Sequence, residues 1–182
     1  MCSFVCPHGV IRPFKVDEGG IPLIGSKNKK EFLIAVNGDK CTGCGLCIKS
    51  CPGKKGVKAL EWTDNNLNQE SVNKLFTLNN EPEDNIYNVR NSQFNKPLFE
   101  YSGACAGCGE AGYIKLLTQL FQNNLLIANA TGCSSIYGGS VPNTAYNVSW
   151  ANSLFEDNAE FGLGMYYSCL LYTSDAADDL IG

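Results

Sequence analysis

The chain has 182 residues, 44% of them hydrophobic, with 14 Lys and Arg against 18 Asp and Glu for a formal net charge of −4. That composition suits one globular domain or two small ones and leaves no basic surplus for nucleic acid, and no apolar run approaches the roughly 20 residues needed to span a bilayer. Ten cysteines could make a secreted disulfide scaffold, but no charged and then apolar leader opens the chain and the cysteines cluster at metal-ligand spacing, so a reducing cytoplasm is expected.

The opening Met1-Cys-Ser-Phe-Val-Cys6-Pro7 reads as the second half of a C-x2-C-x2-C-x3-C-P run, the ligand loop of a [4Fe–4S] cluster. The first half is missing, so Met1 is expected to be an internal methionine of a longer frame. His8 follows on the loop, and a lone loop histidine is more often solvated; it is assigned no role. From Val10 to Asp39 the chain reads as a polar excursion with Gly19-Gly20 and a basic cluster at Lys27 to Lys30. The excursion closes on a strand, Phe32-Leu-Ile-Ala-Val36. The lysine cluster reads as a solvated turn, with docking of an acidic electron carrier as the functional alternative.

Cys41-Thr-Gly-Cys44-Gly-Leu-Cys47-Ile-Lys-Ser-Cys51-Pro52 is the complete run. A cubane needs thiolates aimed at different iron corners, and Gly43 and Gly45 supply the backbone freedom for a loop that reverses every few residues. Pro52 ends the short helix expected to carry Cys47 to Cys51. In two-cluster ferredoxins the fourth cysteine of each run serves the other cluster. Cys6 is therefore expected to complete the cluster of Cys41, Cys44 and Cys47, while Cys2 and Cys51 belong to a second cluster whose other ligands should lie upstream. A zinc ribbon, the bland alternative, needs two separated C-x2-C pairs and has no use for a third cysteine three residues on. Val57 to Trp62 reads as the strand leaving this loop.

Residues 63–98 are rich in asparagine and acid with weak periodicity, and read as a linker holding at most a helical turn. A new unit opens with Gly103-Ala-Cys105-Ala-Gly-Cys108-Gly-Glu110, another C-x2-C. Behind it Tyr113, Leu116, Leu117, Leu120 and Phe121 recur at helical spacing and predict an amphipathic helix with that face inward. Leu125 to Asn129 predicts a buried strand, followed by the turn Gly132-Cys133-Ser-Ser-Ile-Tyr-Gly138-Gly139. Helix, strand and glycine-rich turn are α/β grammar, in which ligands sit at the carboxyl ends of strands. Cys133 falls there; alone it would be a small buried hydrophobe, but with Cys105 and Cys108 it makes three thiolates and one vacancy. From Cys169 the sequence resembles the in-frame translation of a transposase mosaic-end adaptor used in sequencing libraries. Residues 169–182 are accordingly expected not to be native.

Taken together, the ferredoxin runs, Tyr101-Ser-Gly-Ala-Cys-Ala-Gly-Cys-Gly-Glu110, Ala128 to Gly139, and Trp150 to Met165 closely resemble the pyruvate:ferredoxin (flavodoxin) oxidoreductases. The resemblance implies an α+β ferredoxin-like two-cluster domain over residues 1–62, a linker over 63–98, and the incomplete start of an α/β thiamine diphosphate-binding domain over 99–168. It implies oxidative decarboxylation of pyruvate to acetyl-CoA and CO2, with thiamine diphosphate and Mg2+ as cofactor and coenzyme A as co-substrate. Electrons would pass singly through three [4Fe–4S] clusters to ferredoxin or flavodoxin. By that resemblance Cys2, Cys6, Cys41, Cys44, Cys47 and Cys51 ligate the two outer clusters, Cys105, Cys108 and Cys133 ligate the proximal one, and Glu110 and Cys133 line the thiamine diphosphate. The parent is expected to be a homodimer of the cytoplasm, or of an anaerobic organelle in a eukaryote, with no nucleic-acid or membrane partner.

Departures from the family pattern also carry expectations. The pyruvate-binding amino-terminal domains, two outer-cluster ligands, the fourth proximal ligand and the acidic Mg2+ motif are absent, and Val141 to Val148 is shorter than the family's segment. The chain alone is expected to hold no catalytic residue and to be inactive. A stand-alone ferredoxin, a zinc-binding interaction module, another 2-oxoacid oxidoreductase and a fusion passing electrons to NADP are the rival readings.

Overall fold

The computed structural model describes residues 1–22, 31–63, 69–77, 88–138, 146–152 and 155–178. They form two compact units, one of Met1–Leu125 with Tyr146–Val148 and one of Leu126–Ala145 with Ser149–Gly182.

The first unit begins with a one-turn helix α1 (Cys2–Val5) and a three-stranded antiparallel sheet of β1 (Ile11–Val16), β2 (Ile21–Pro22) and β3 (Glu31–Val36) in the order β1-β3-β2. The predicted strand at Phe32 to Val36 is thus the central one. The supposed polar excursion contains β1, whose periodicity is hidden by Arg12 and Pro13. Pro13 is tolerated because β1 lies at the sheet edge, where a missing N–H costs no ladder bond. Arg12 is buried because its guanidinium lies 5.0 Å from the centroid of the Phe14 ring and 5.3 Å from that of Phe76, with Nη1 donating to the Phe76 carbonyl at 3.4 Å. The lysine cluster at Lys27 to Lys30 lies outside the described residues.

Within the stretch read as linker, α3 (Gln69–Thr77) and α4 (Val89–Ser92) are helical. Phe76 joins Phe14 and Ala35 in a core cluster, meeting Phe14 edge-on at 5.4 Å, and Ser92, Gln93 and Phe94 are also buried. Fully burying a side chain the size of Phe76 stabilises by roughly 1.5–3 kcal/mol.

A second short helix, α2 (Leu46–Lys49), packs on α1. The strand expected over Val57 to Trp62 does not form; only a bridge between Lys54 and Val57 exists, and Trp62 is 62% exposed. The Ala59 N–H is committed elsewhere, donating to the Cys51 sulfur, and the Lys58 side chain reaches back to donate to the Cys51 carbonyl.

The long helix α5 (Gly109–Phe121) forms where predicted but turns its other face inward. Ala111, Ile114, Lys115, Thr118 and Gln119 are buried, whereas Tyr113 is 73% exposed and Leu117 and Phe121 are exposed too. The polar residues can go inside because each is satisfied: Thr118 Oγ1 accepts from the Leu98 N–H, Gln119 Nε2 donates to the Asn95 carbonyl, and Gln93 Nε2 donates to Gln119 Oε1.

In the second unit, β4 (Leu126–Asn129) pairs in parallel with β5 (Ser149–Asn152). The predicted strand is present but not buried, with Leu126 exposed. It leads through Gly132 into α6 (Cys133–Tyr137), and Asn129 joins the pieces by donating to Ser134 Oγ at 2.8 Å and accepting from Trp150 Nε1 at 2.8 Å. The unit ends in α7 (Phe155–Asp178), which runs through Cys169 without a break and is mostly exposed. No helix of the described residues is long and apolar enough to cross a membrane.

Candidate metal centre

The Cys41 loop is shaped by local forces. Asn37 Oδ1 accepts the Lys40 N–H at 3.3 Å and the Cys41 N–H turns back to the Gly38 carbonyl at 3.1 Å, which fixes the entry. Gly43 and Gly45 then take left-handed φ values of 70° and 75°, the reversals the spacing requires. α2 carries Cys47, and the Cys51 N–H closes the turn on the Ile48 carbonyl.

A cavity of about 570 Å³ opens at this loop, and the thiols lining it are those of Cys6, Cys41, Cys44 and Cys47. Cys6 follows α1 and reaches the cavity at the same end of the sheet, where Ile11 pairs with Val36, and it packs with Val10 and Ile11, against which Cys2 and Cys47 also rest. Burial pushes the Cys47 thiol up, and the neighbouring Cys6, Cys44 and Cys41 sulfurs push it the same way. Four sulfurs around one space, three of them disfavouring negative charge on Cys47, fit a cationic iron core that takes one thiolate at each corner. No three His, Cys, Asp or Glu side chains among the described residues converge as a single-ion site requires.

Cys51 sits in a different setting. Its Sγ accepts the Ala59 N–H at 3.3 Å. That bond is the largest cause holding its thiol below the ordinary value; burial opposes it, while the Gly53 and Leu60 N–H groups and the Lys58 ammonium assist. Lys58 Nζ also donates to the Cys51 carbonyl at 2.7 Å. These donors favour the thiolate that metal ligation needs.

The Cys105 to Cys108 turn is closed by the Cys108 N–H on the Cys105 carbonyl at 3.0 Å. It lies directly on the Cys41 loop: Gly107 has φ +75°, and a Cβ placed on it would stand 3.3 Å from Cys44 Cβ. One turn into α5, a Cβ on Gly112 would stand 3.7 Å from Pro7. The third C-x2-C is therefore seated against both the Cys44 and the Cys6 segments. Glu110 is the second residue of α5 and exposed; Cys133, in the second unit, is the first residue of α6 and exposed.

Two residues that sequence reasoning passed over lie here. His8 is 2% exposed, lines the four-cysteine cavity, and neither ring nitrogen makes a hydrogen bond of good geometry. Burial lowers its pKa, opposed by the nearby Cys105 and Ser102 backbone. Its carbonyl accepts the Tyr101 N–H at 2.9 Å and so ties the two loops together. Lys115 lies on the inner face of α5. The proline directly after Cys6 was the one available hint that this segment is packed.

Comparison with known proteins agrees with this geometry. A family model described as a 4Fe-4S dicluster domain matches residues 1–56. The probable pyruvate-flavodoxin oxidoreductase of Escherichia coli is 44% identical, over 90% of this chain and 16% of that protein. The pyruvate:ferredoxin oxidoreductase of Moorella thermoacetica is 47% identical over 90% of this chain and 16% of that protein. The mitochondrial pyruvate dehydrogenase [NADP(+)] of Euglena gracilis is 42% identical over 90% of this chain and 10% of that protein. The chain thus spans 16% of the length of the first two relatives and 10% of the third. Over the stretch that it covers, the chain belongs to the pyruvate:ferredoxin and pyruvate:flavodoxin oxidoreductase family.

Proposed function

We propose that this chain is the electron-conducting stretch of an enzyme that oxidatively decarboxylates pyruvate to acetyl-CoA and CO2. Residues 1–62 hold the two outer [4Fe–4S] clusters, 63–98 connect, 99–168 begin the thiamine diphosphate domain, and 169–182 are not native. Thiamine diphosphate with Mg2+ would supply the carbanion chemistry on pyruvate, with coenzyme A taking the acetyl group. In this reading Glu110 and Cys133 face that cofactor, and Cys105, Cys108 and Cys133 ligate the proximal cluster. The residues of this chain do no bond-breaking; they hold clusters, bury them and set their order.

The observation that carries the reading is the seating of the Cys105 to Cys108 turn on the Cys44 loop, with Gly107 allowing the approach. Such contact gives electrons a short path from the proximal ligands to the cluster of Cys6, Cys41, Cys44 and Cys47. Cys51, whose thiolate is favoured by N–H donors and Lys58, serves the next cluster outward, because donors to sulfur and positive charge favour the reduced state. A ferredoxin or flavodoxin then takes the electron. The whole enzyme acts as a homodimer in the cytoplasm or an anaerobic organelle.

The test is pyruvate- and coenzyme A-dependent reduction of ferredoxin, flavodoxin and NADP by the full-length enzyme. Reduction of the first two and not of NADP is the expected result. Reduction of NADP would favour the fused form, a reading supported by the Euglena relative and by the pyruvate dehydrogenase [NADP(+)] of Cryptosporidium parvum at 42% and 43% identity. Failure to oxidise pyruvate with any acceptor would refute the proposal.

A further inference from the structure

Lys115 is the anomaly of the first unit. Lysines are almost never fully buried without a partner of opposite charge, yet Lys115 is 1% exposed. Its Nζ donates to the carbonyls of Ser3 at 2.6 Å and Phe4 at 3.3 Å. No carboxylate of the described residues pairs with it. A lysine needed only to close the end of α1 would keep its ammonium in water, and a neutral Gln could make the same bonds without the cost of burying a charge.

The position of those carbonyls says what the charge is for. The Ser3 oxygen that takes the Lys115 ammonium also takes the Cys6 N–H at 3.4 Å. Pro7 rests on Gly112, one turn earlier on the same face of α5. The ammonium is therefore pressed onto the turn that delivers Cys6 to the four-thiol cavity. A cluster with four thiolates is an anion, and it becomes more negative by one charge on reduction. We propose that Lys115 is the buried counter-charge of the cluster held by Cys6, Cys41, Cys44 and Cys47, and that it raises the reduction potential of that cluster above that of an otherwise identical site.

Electrostatics point the same way. Burial lowers the Lys115 pKa to about 8, and the one neighbouring group that opposes the fall is the Cys6 sulfur. Lys115 is a positioning residue for charge and ligates nothing. It also explains why α5, the helix that starts at the Cys105 to Cys108 turn, buries its polar face: the helix presenting the proximal ligands brings along the charge that makes the next cluster a better acceptor. The inference rests on the proposed grouping of the four cysteines, and the experiment separates the two.

Lys115→Met and Lys115→Arg are made in the full-length enzyme, and iron content and the midpoint of each cluster are measured by EPR-monitored redox titration. In Lys115→Met one midpoint should fall by the equivalent of about a tenfold change in the reduction equilibrium, which is about 59 mV for a one-electron couple. The other midpoints should stay, and Lys115→Arg should restore most of the loss. Full iron with every midpoint unchanged in Lys115→Met would overturn the inference while leaving the cluster grouping intact, as would an equal shift in Lys115→Arg. If Lys115→Met fails to load that cluster, Lys115→Gln is titrated as well. Loss of the cluster in the Met and Gln variants but not in Arg upholds the counter-charge; loss in all three shows a strap that only geometry satisfies, and overturns it. If Cys6→Ala and Cys41→Ala, each made alone in the full-length enzyme that keeps Lys115, remove different clusters, the grouping itself is overturned, and the inference with it.

Discussion

Gly107 sits where the Cys105 to Cys108 turn touches the Cys41 loop, so adding one methyl group there tests the contact on which the proposed electron path depends. Gly107→Ala must hold a left-handed φ of +75°, which costs an L-residue about 1–2 kcal/mol. Its new Cβ would also stand 3.3 Å from Cys44 Cβ, tight enough that one loop must give by a few tenths of an ångström. For a chain of this size 1 kcal/mol moves the melting temperature by roughly 2–4 °C, so a drop of about 2–8 °C is expected. Gly109→Ala is the internal control: a Cβ there meets nothing within 4 Å, and the substitution should be neutral or stabilise by about 0.4–1 kcal/mol through the unfolded state. The assay is thermal unfolding of the anaerobically reconstituted chain, followed at the cluster absorbance and in the far ultraviolet. Equal melting temperatures for Gly107→Ala and the parent, or equal losses in the two variants, would refute the contact.

Two other substitutions separate function from packing. Phe76→Ala removes the ring that meets Phe14 and supports Arg12, and should destabilise by about 3–5 kcal/mol in chemical denaturation; a loss below about 1 kcal/mol would mean that the stretch read as linker is not part of the core. Cys133→Ser in the full-length enzyme should cripple electron removal from the pyruvate-derived adduct while two of the clusters stay loaded. An exposed cysteine with no ligand role would instead change stability by less than about 0.5 kcal/mol with near-normal turnover, and normal iron content with normal ferredoxin reduction would eliminate Cys133 as a ligand.

What was legible in the sequence was what depends on local geometry. The spacing of Cys41, Cys44, Cys47 and Cys51 dictates a loop by itself, and the crossing of Cys6 into that loop follows from the same rule; the cavity lined by Cys6, Cys41, Cys44 and Cys47 agrees with both. The turn at Gly43 and Gly45 was legible for the same reason. The strand at Val57 to Trp62 was misread because apolar residues there looked like a ladder, while their N–H groups serve the Cys51 sulfur. β1 was hidden because a buried Arg12 and an edge Pro13 break its pattern. α5 was found but turned the wrong way, since hydrophobic periodicity cannot anticipate that Lys115, Thr118 and Gln119 each meet a partner inside. His8 and Lys115 share that blindness: both are polar residues whose meaning comes from what the fold packs against them.

The grouping of cysteines is the claim on which the rest stands, and paired substitutions read it directly. In the full-length enzyme, Cys6→Ala and Cys41→Ala should each abolish one and the same [4Fe–4S] signal in EPR, with loss of about four irons per chain. Cys2→Ala and Cys51→Ala should abolish a different one. If Cys6→Ala and Cys2→Ala instead remove the same signal, or if the preparation holds zinc and no acid-labile sulfide, the account is contradicted.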